Sequence, residues 1–414
     1  MRLIISLKCC SSGSAKIIPK YLPPAQVLLQ NVLALESGSR LYGDKTTIMR
    51  DIRTYQSDHE AVVSDMKPVR LAVIGTGVMG RKHAEGIIAH SRCSLVGMCD
   101  SDSSHRLVAE SFKVPFYQDL ETLLARERPQ GAIIATPNGC HATVAEQCAQ
   151  RSVHILIEKP IADSLSEAHR IVQVADDTGI EVLVGQHRRH NPLIQEVRSL
   201  VRDGALGKLV AVSVLWALLK PTDYYETDWR CRRPGGGPTL INLIHDLDSL
   251  RFICGEIRQV YAQSSSAVRN LEVEDSLNIS LLFESGAMGS ILASDATSSP
   301  WSYEATTHEN PYYFHTDENC YHFLGTSGSL AFPKMELWRY ADETRSGWQH
   351  PIVKSHSKVT PSDPLNSQLE HFCRVISDGE TPLVDARDGM RSLAVALAVL
   401  ESIQRQVPLT LAVS

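Results

Sequence analysis

Arg70-Leu71-Ala72-Val73-Ile74-Gly75-Thr76-Gly77-Val78-Met79-Gly80 is the stretch that decides how this chain is read. Its first half is a short apolar run, the pattern of a strand buried on both faces. Its second half is G-x-G-x-x-G, and Val78–His90 behind it reads as a helix. In a strand–turn–helix unit the first glycine permits the tight turn. The second lets backbone approach a diphosphate, and the third lets helix pack on strand. Free N–H groups and the positive helix end then attract phosphate charge.

Working outward, Ser94–Cys99 is a second strand, closing on Asp100, 20 residues past Gly80. A carboxylate there accepts hydrogen bonds from a ribose 2′-hydroxyl and repels a 2′-phosphate, which favours NAD; Arg106, one turn on, leaves NADP open. Gly131–Ala135, His154–Ile157 and Glu181–Gly185 are three more strands, with helices at Ala142–Arg151 and Leu165–Thr178. Alternation at this spacing implies parallel pairing in a doubly wound α/β sheet, a Rossmann domain over residues 67–187. Ligands of such sheets lie at the carboxyl ends of the strands. The expected coenzyme contacts are therefore Gly75, Gly77, Val78, Met79, Gly80 and Asp100. To these are added Thr136, Pro137, Asn138, His141, Glu158 and Lys159 at the downstream strand ends.

After His187 the rhythm changes, and residues 188–414 read as a second α/β domain for substrate and assembly. Lys208–Leu218, Gln259–Ser266, Ser276–Glu284, Met288–Ala293 and Tyr321–Phe332 are expected strands of a large, mostly antiparallel open sheet. Leu240–Ile253, Ser367–Ile376 and Ala386–Arg405 are expected helices, and Pro300–Asn319 a long loop over a site. Residues 1–66 carry early basic residues without periodicity. They read as an extension, a disordered or over-long start, with a mitochondrial presequence as the alternative.

The 41 basic and 47 acidic residues give a net charge of −6, without long runs of either sign. That balance argues against nucleic acid or a membrane surface as partner. No apolar run reaches the ~20 residues of a membrane span. The ten cysteines include no C-x-x-C pair, which reads as reduced thiols in a cytoplasmic protein.

G-x-G-x-x-G, Ala135-Thr136-Pro137-Asn138 with His141, and Glu158-Lys159-Pro160 together resemble the glucose–fructose oxidoreductase and inositol dehydrogenase family (Gfo/Idh/MocA). Trp229-Arg230, Gly235-Gly236-Gly237 and His245-Asp246-Leu247-Asp248 extend the resemblance from about Val69 to the carboxyl end. The resemblance implies oxidation of a secondary alcohol on a sugar, cyclitol or related polyol, in a homodimer or homotetramer formed through the second sheet. It maps the family's lysine onto Lys159 and its histidine onto His245. One departure stands out. Many members carry Asp four residues before that histidine, where this chain has Ile241, with Asn242 beside it.

Alcohol oxidation needs a base for the hydroxyl proton and a cation for the developing alkoxide. His245 is the expected base and Lys159 the expected cation, though the two roles could be exchanged. Arg189, Trp229, Arg230 and Asn242 are weaker candidates for substrate contact, as are Arg188, His190, Asn191, Tyr224, Tyr225 and Asp228. His187 and His190 lack partners at zinc-like spacing, so no metal site is expected. His308, His315 and His322 read as loop or surface residues. The missing Asp favours a second reading, a non-catalytic dinucleotide-sensing regulator; retention of both Lys159 and His245 counts against it.

Overall fold

The computed structural model describes residues 67–233 and 235–411, so the expectations for residues 1–66 lie outside the described residues. Strand β1 (Val69–Ile74) is buried along nearly all its length. The chain then alternates through α1 (Val78–Ala89), β2 (Cys93–Cys99), α2 (Arg106–Ser111), β3 (Phe116–Tyr117), α3 (Leu120–Glu127), β4 (Gly131–Ile134), α4 (His141–Ala149), β5 (His154–Ile157), α5 (Leu165–Thr178) and β6 (Val182–Val184). The six strands are parallel, in the order β3-β2-β1-β4-β5-β6. That is the order of the dinucleotide-binding Rossmann fold, whose ligand crevice opens where the strand order reverses. Here the reversal lies between β1 and β4. Register aligns Ile74 with Cys99 on one side and Ile134 on the other, so Gly75, Asp100 and Ala135 share one edge of the sheet.

The second half is built on a sheet with nine strands among the described residues. Its elements are α6 (Pro192–Arg202), β7 (Leu209–Ala217), α7 (Ile244–Cys254), β8 (Ile257–Ser265), β9 (Ser276–Phe283), β10 (Met288–Ser294), α8 (Tyr303–Thr306), β11 (Tyr321–Gly325), β12 (Ser329–Phe332), β13 (Glu336–Tyr340), β14 (Ile352–His356), α9 (Pro364–Asp378), α10 (Ala386–Arg405) and β15 (Leu409–Thr410). Strand order is β14-β13-β12-β11-β7-β10-β9-β8-β15, antiparallel except where β10 runs parallel to β7. Burial in β9 alternates residue by residue, as a sheet covered on one face requires. The inner face packs Ile279, Leu281 and Phe283 into one core with Leu247 and Leu250 of α7 and Val395 and Val399 of α10. The outer face leaves Met288, Leu292 and Leu324 exposed.

Several expectations change. Tyr321–Phe332 is two strands, because the chain turns at Thr326-Ser327-Gly328 and pairs β11 back on β12. Leu240–Ile253 is not one regular helix: Thr239–Leu243 forms a π-turn that runs into α7. Helix α6 was missed, although Asn191-Pro192 is a good start signal; the Asn191 side chain accepts from the Leu193 N–H as cap. Strands β13 and β14 were missed: β13 fully buries only Leu337 and β14 is exposed along its whole length, so neither carries a one-face alternation. Pro300–Asn319 is mainly irregular, as expected, but holds the single turn of α8 with Tyr303 buried. His322 lies on the outer sheet face, and the rings of His308 and His315 meet edge to face 4.8 Å apart.

Candidate active site

The front crevice starts at the glycine turn. Gly75 has φ +89°, and a Cβ there would sit 2.5 Å from the Ala135 carbonyl oxygen. A Cβ on Gly80 would lie 1.9 Å from the Gly75 carbonyl oxygen, so close helix–strand packing requires this glycine. At Gly77 a Cβ would meet nothing within 4 Å; the space in front of it is open. Gly77 caps α1 without a side-chain hydrogen bond, and the first turn carries no acid. The N–H groups there, including those of Val78 and Met79, form an uncompensated positive end suited to a diphosphate.

Beside this turn lies a cavity of about 570 Å³, lined among others by Gly75, Gly77, Asp100, His105, Thr136 and Pro137. Asp100 Oδ2 accepts from the Thr76 N–H and hydroxyl, both at 2.8 Å, and contacts His105 Nδ1 at 2.9 Å. Oδ1 accepts only the Asp102 N–H, which leaves a lone pair for a ribose hydroxyl. Burial acts to raise the Asp100 carboxyl, but the bonds from His105, Thr76 and Asp102 outweigh it and hold it near 2. The Thr136 hydroxyl, also on the cavity wall, is buried without a protein partner. An open backbone cradle, a spare carboxylate lone pair and an unpaired hydroxyl together fit a dinucleotide.

Two expected coenzyme contacts have other partners. The buried His141 ring spans the carbonyl oxygens of Thr136 and Ile161, at 3.0 and 3.1 Å, and so ties the loops after β4 and β5 together. Glu158 is buried and takes His83 Nε2 at 2.7 Å, which pins α1 to the end of β5. Asn138 opens the short turn before α4, on the protein surface.

Deeper in, Lys159 is half-buried and its Nζ donates to the Ile241 carbonyl oxygen at 2.9 Å. Thus residue 241 meets the lysine through its backbone, at the π-turn, and not through its side chain. Burial pulls the Lys159 ammonium down to about 8, against the opposing pull of Glu158. His245 is buried on α7, with Nδ1 3.2 Å from Gln186 Oε1. An amide oxygen only accepts, so Nδ1 carries the hydrogen and Nε2 keeps the lone pair. Burial, and then the charges of Lys159 and Arg188, hold His245 well below the usual histidine range. It is neutral at pH 7.

The irregular loop completes the cluster in a way the sequence did not reveal. Glu309 reaches His187 Nε2 at 2.9 Å and is itself held by Tyr303 Oη and Asn191 Nδ2. The His187 ring meets His245 edge-on, 4.9 Å between centroids. Glu304 joins Trp216 and Arg188, and Arg188 also faces Asp246 at 3.2 Å. Lys220 donates to Asn242 Oδ1 at 2.8 Å and pairs with Asp295. At the rim, Trp229 is exposed and Arg230 stacks on Tyr224, 4.2 Å above its ring. Tyr225 donates to Asp295, and Asp228 pairs with Arg232.

Arg189 differs from the expectation of substrate contact. It is buried, its guanidinium forks onto Asp248 at 2.6 and 2.8 Å, and it also pairs with Asp388. Arg189→Ala is expected to destabilise the fold by about 3–5 kcal/mol, because carboxylates stay buried without their cation. Urea unfolding measures this; unchanged stability with a raised substrate KM would instead place Arg189 at the substrate. His190 packs on His371, with ring centroids 5.3 Å apart.

Residues 69–186 match the family model described as oxidoreductase family, NAD-binding Rossmann fold. Residues 198–411 match that of the same family's C-terminal alpha/beta domain. The chain is thus an NAD-binding oxidoreductase, and it belongs to the Gfo/Idh/MocA family. Among similar proteins is inositol 2-dehydrogenase of Rhizobium meliloti, 22% identical over 83% of this chain and 99% of that protein. D-apiose dehydrogenase of Paraburkholderia graminis is 25% identical over 82% of this chain and 88% of that protein. Among solved structures, the WlbA dehydrogenase of Bordetella pertussis, in complex with NADH and UDP-GlcNAcA, superposes with TM-score 0.67. It is 24% identical and covers 84% of this chain and all of its own.

Proposed function

We propose that this chain interconverts a secondary alcohol of a sugar, cyclitol or related polyol with the corresponding ketone, using NAD in preference to NADP. The observation that carries the reading is a neutral His245 on α7 under the charge of a half-buried Lys159, whose Nζ sits on the turn that leads into the same helix. In support, Gly75, Gly77, Asp100, Thr136 and Pro137 line the glycine-turn crevice, and Val78 and Met79 open the helix behind it. When bound, the nicotinamide supplies the hydride acceptor. The protein does the rest. His245 Nε2 takes the hydroxyl proton, with Gln186 fixing its tautomer, and Lys159 Nζ stabilises the alkoxide from its seat on the Ile241 carbonyl. The His187–Glu309 pair buttresses the His245 ring and supplies a carboxylate where residue 241 does not. Lys220, Asn242, Trp229 and Arg230 are the polar and aromatic groups left to meet substrate hydroxyls.

Features elsewhere in the molecule support the remaining parts of the reading. Met288, Leu292 and Leu324 on the outer face suit pairing with a second copy, as a dimer or tetramer. Among the described residues no helix is long and apolar enough to cross a membrane. Buried free thiols such as Cys148 and Cys254 support a reducing, cytoplasmic setting.

The test is a panel of cyclitols, aldoses and hydroxy acids with NAD, read as NADH absorbance. A polyol is expected to release NADH. Binding of NAD with no turnover of any polyol would favour the regulator reading, and a tenfold kinetic advantage for NADP would overturn the coenzyme preference.

A further inference from the structure

A second cluster lies away from the crevice, between the α1–β2 junction and α9. His90 ends α1, and Cys93 opens β2 three residues on. From far along the chain, α9 packs Leu369, Phe372 and Cys373 into the core of the front sheet. This brings Cys373 to Cys93. A ring nitrogen of His90 and the two Sγ atoms all lie within 4.8 Å of one another. Tetrahedral zinc sites have ligand-to-ligand edges of about 3.5–3.8 Å, set by Zn–N and Zn–S bonds of about 2.1 and 2.3 Å. A shift of about 1 Å would close the set.

Two further features suit a cation here. Glu370 Oε2 takes His90 Nε2 at 3.0 Å, the carboxylate–histidine arrangement that orients a metal-binding ring. The Nδ1 lone pair, which here accepts the Arg92 N–H at 3.2 Å, is the one an ion would take in place of that bond. His90 is partly exposed, which provides a path for an ion and room for a water as fourth ligand.

We propose that His90, Cys93 and Cys373 bind a borderline-soft divalent cation, zinc above all, with Glu370 orienting the histidine. Sulfur and imidazole donors select such an ion over magnesium or calcium. Both thiols release their protons to solvent as the two thiolate bonds form. The ion would staple the late helix α9 to the front sheet. No short spacing in the sequence could announce it, because the two cysteines come from opposite ends of the described chain.

The probe is Co²⁺, added to full-length protein that has first been reduced and stripped with chelator. Reduction removes any Cys93–Cys373 disulfide beforehand. One equivalent per chain is expected to produce near-ultraviolet thiolate-to-cobalt absorption that Zn²⁺ bleaches. Cys373→Ser should abolish the band, and Glu370→Gln should weaken cobalt binding about 10–100-fold. Unchanged NAD binding by metal-free Cys373→Ser would show that this variant is folded. No thiolate band in the reduced wild type, or a band of full strength in both Cys373→Ser and Cys93→Ser, would overturn the proposal.

Discussion

His245→Ala is expected to lower kcat about 10²–10⁴-fold at pH 7, the usual worth of a positioned base. Two observations set the size of this effect. The ring is neutral at that pH, because burial and the neighbouring Lys159 and Arg188 charges oppose protonation. Its tautomer is fixed by the Gln186 amide oxygen, so the basic nitrogen is already the free one. The NAD Kd should stay within about threefold of wild type, since the coenzyme cradle is made by other residues. Stopped-flow measurement of NADH formation with a turned-over polyol separates the chemical step from product release. Near-normal single-turnover rates would remove His245 from the mechanism.

Lys159→Ala is expected to cost about 10²–10³-fold in kcat, comparable to loss of one donor to a developing oxyanion. The pH dependence distinguishes the two roles open to this residue. Burial draws the ammonium down to about 8, so its charge is full below that pH and lost as pH rises through it. If Lys159 stabilises alkoxide, kcat for oxidation falls above about pH 8, and Lys159→Arg moves that limb to higher pH. If Lys159 were the base, the rate would instead climb through pH 8 and then level. A rising limb would therefore exchange the roles of Lys159 and His245.

Most of the front half was legible because its signals are local, although β3, α2 and α3 carried no signal that was read. A buried parallel strand reads as an unbroken apolar run, and G-x-G-x-x-G has a steric cause visible at Gly75 and Gly80. Asp100 followed from its place at a strand end. The second half was less legible. The longer strands β8, β9 and β10 were read, but β14 has no buried face and gave no pattern. The π-turn at Thr239–Leu243 escaped because a single wide turn hardly alters helical periodicity.

Site chemistry divides along the same line. Lys159 and His245 stood out through motif position, whereas Gln186 and Glu309 carried no signal. Their roles arise only when α7 and the 300–319 loop fold over the strand ends. Arg189 shows the converse: a cation after a strand end suggested ligand contact, and folding committed it to Asp248 and Asp388.

The sequence by itself determined the doubly wound front sheet and its glycine turn, because each depends on neighbours within a few residues, and it singled out Lys159 and His245 through the resemblance. Tertiary structure decided what surrounds them: the carboxylate behind His187, the backbone seat of Lys159, and the meeting of Cys93 with Cys373. Those contacts join segments far apart in the chain, and only burial of the shared cores brings such segments together.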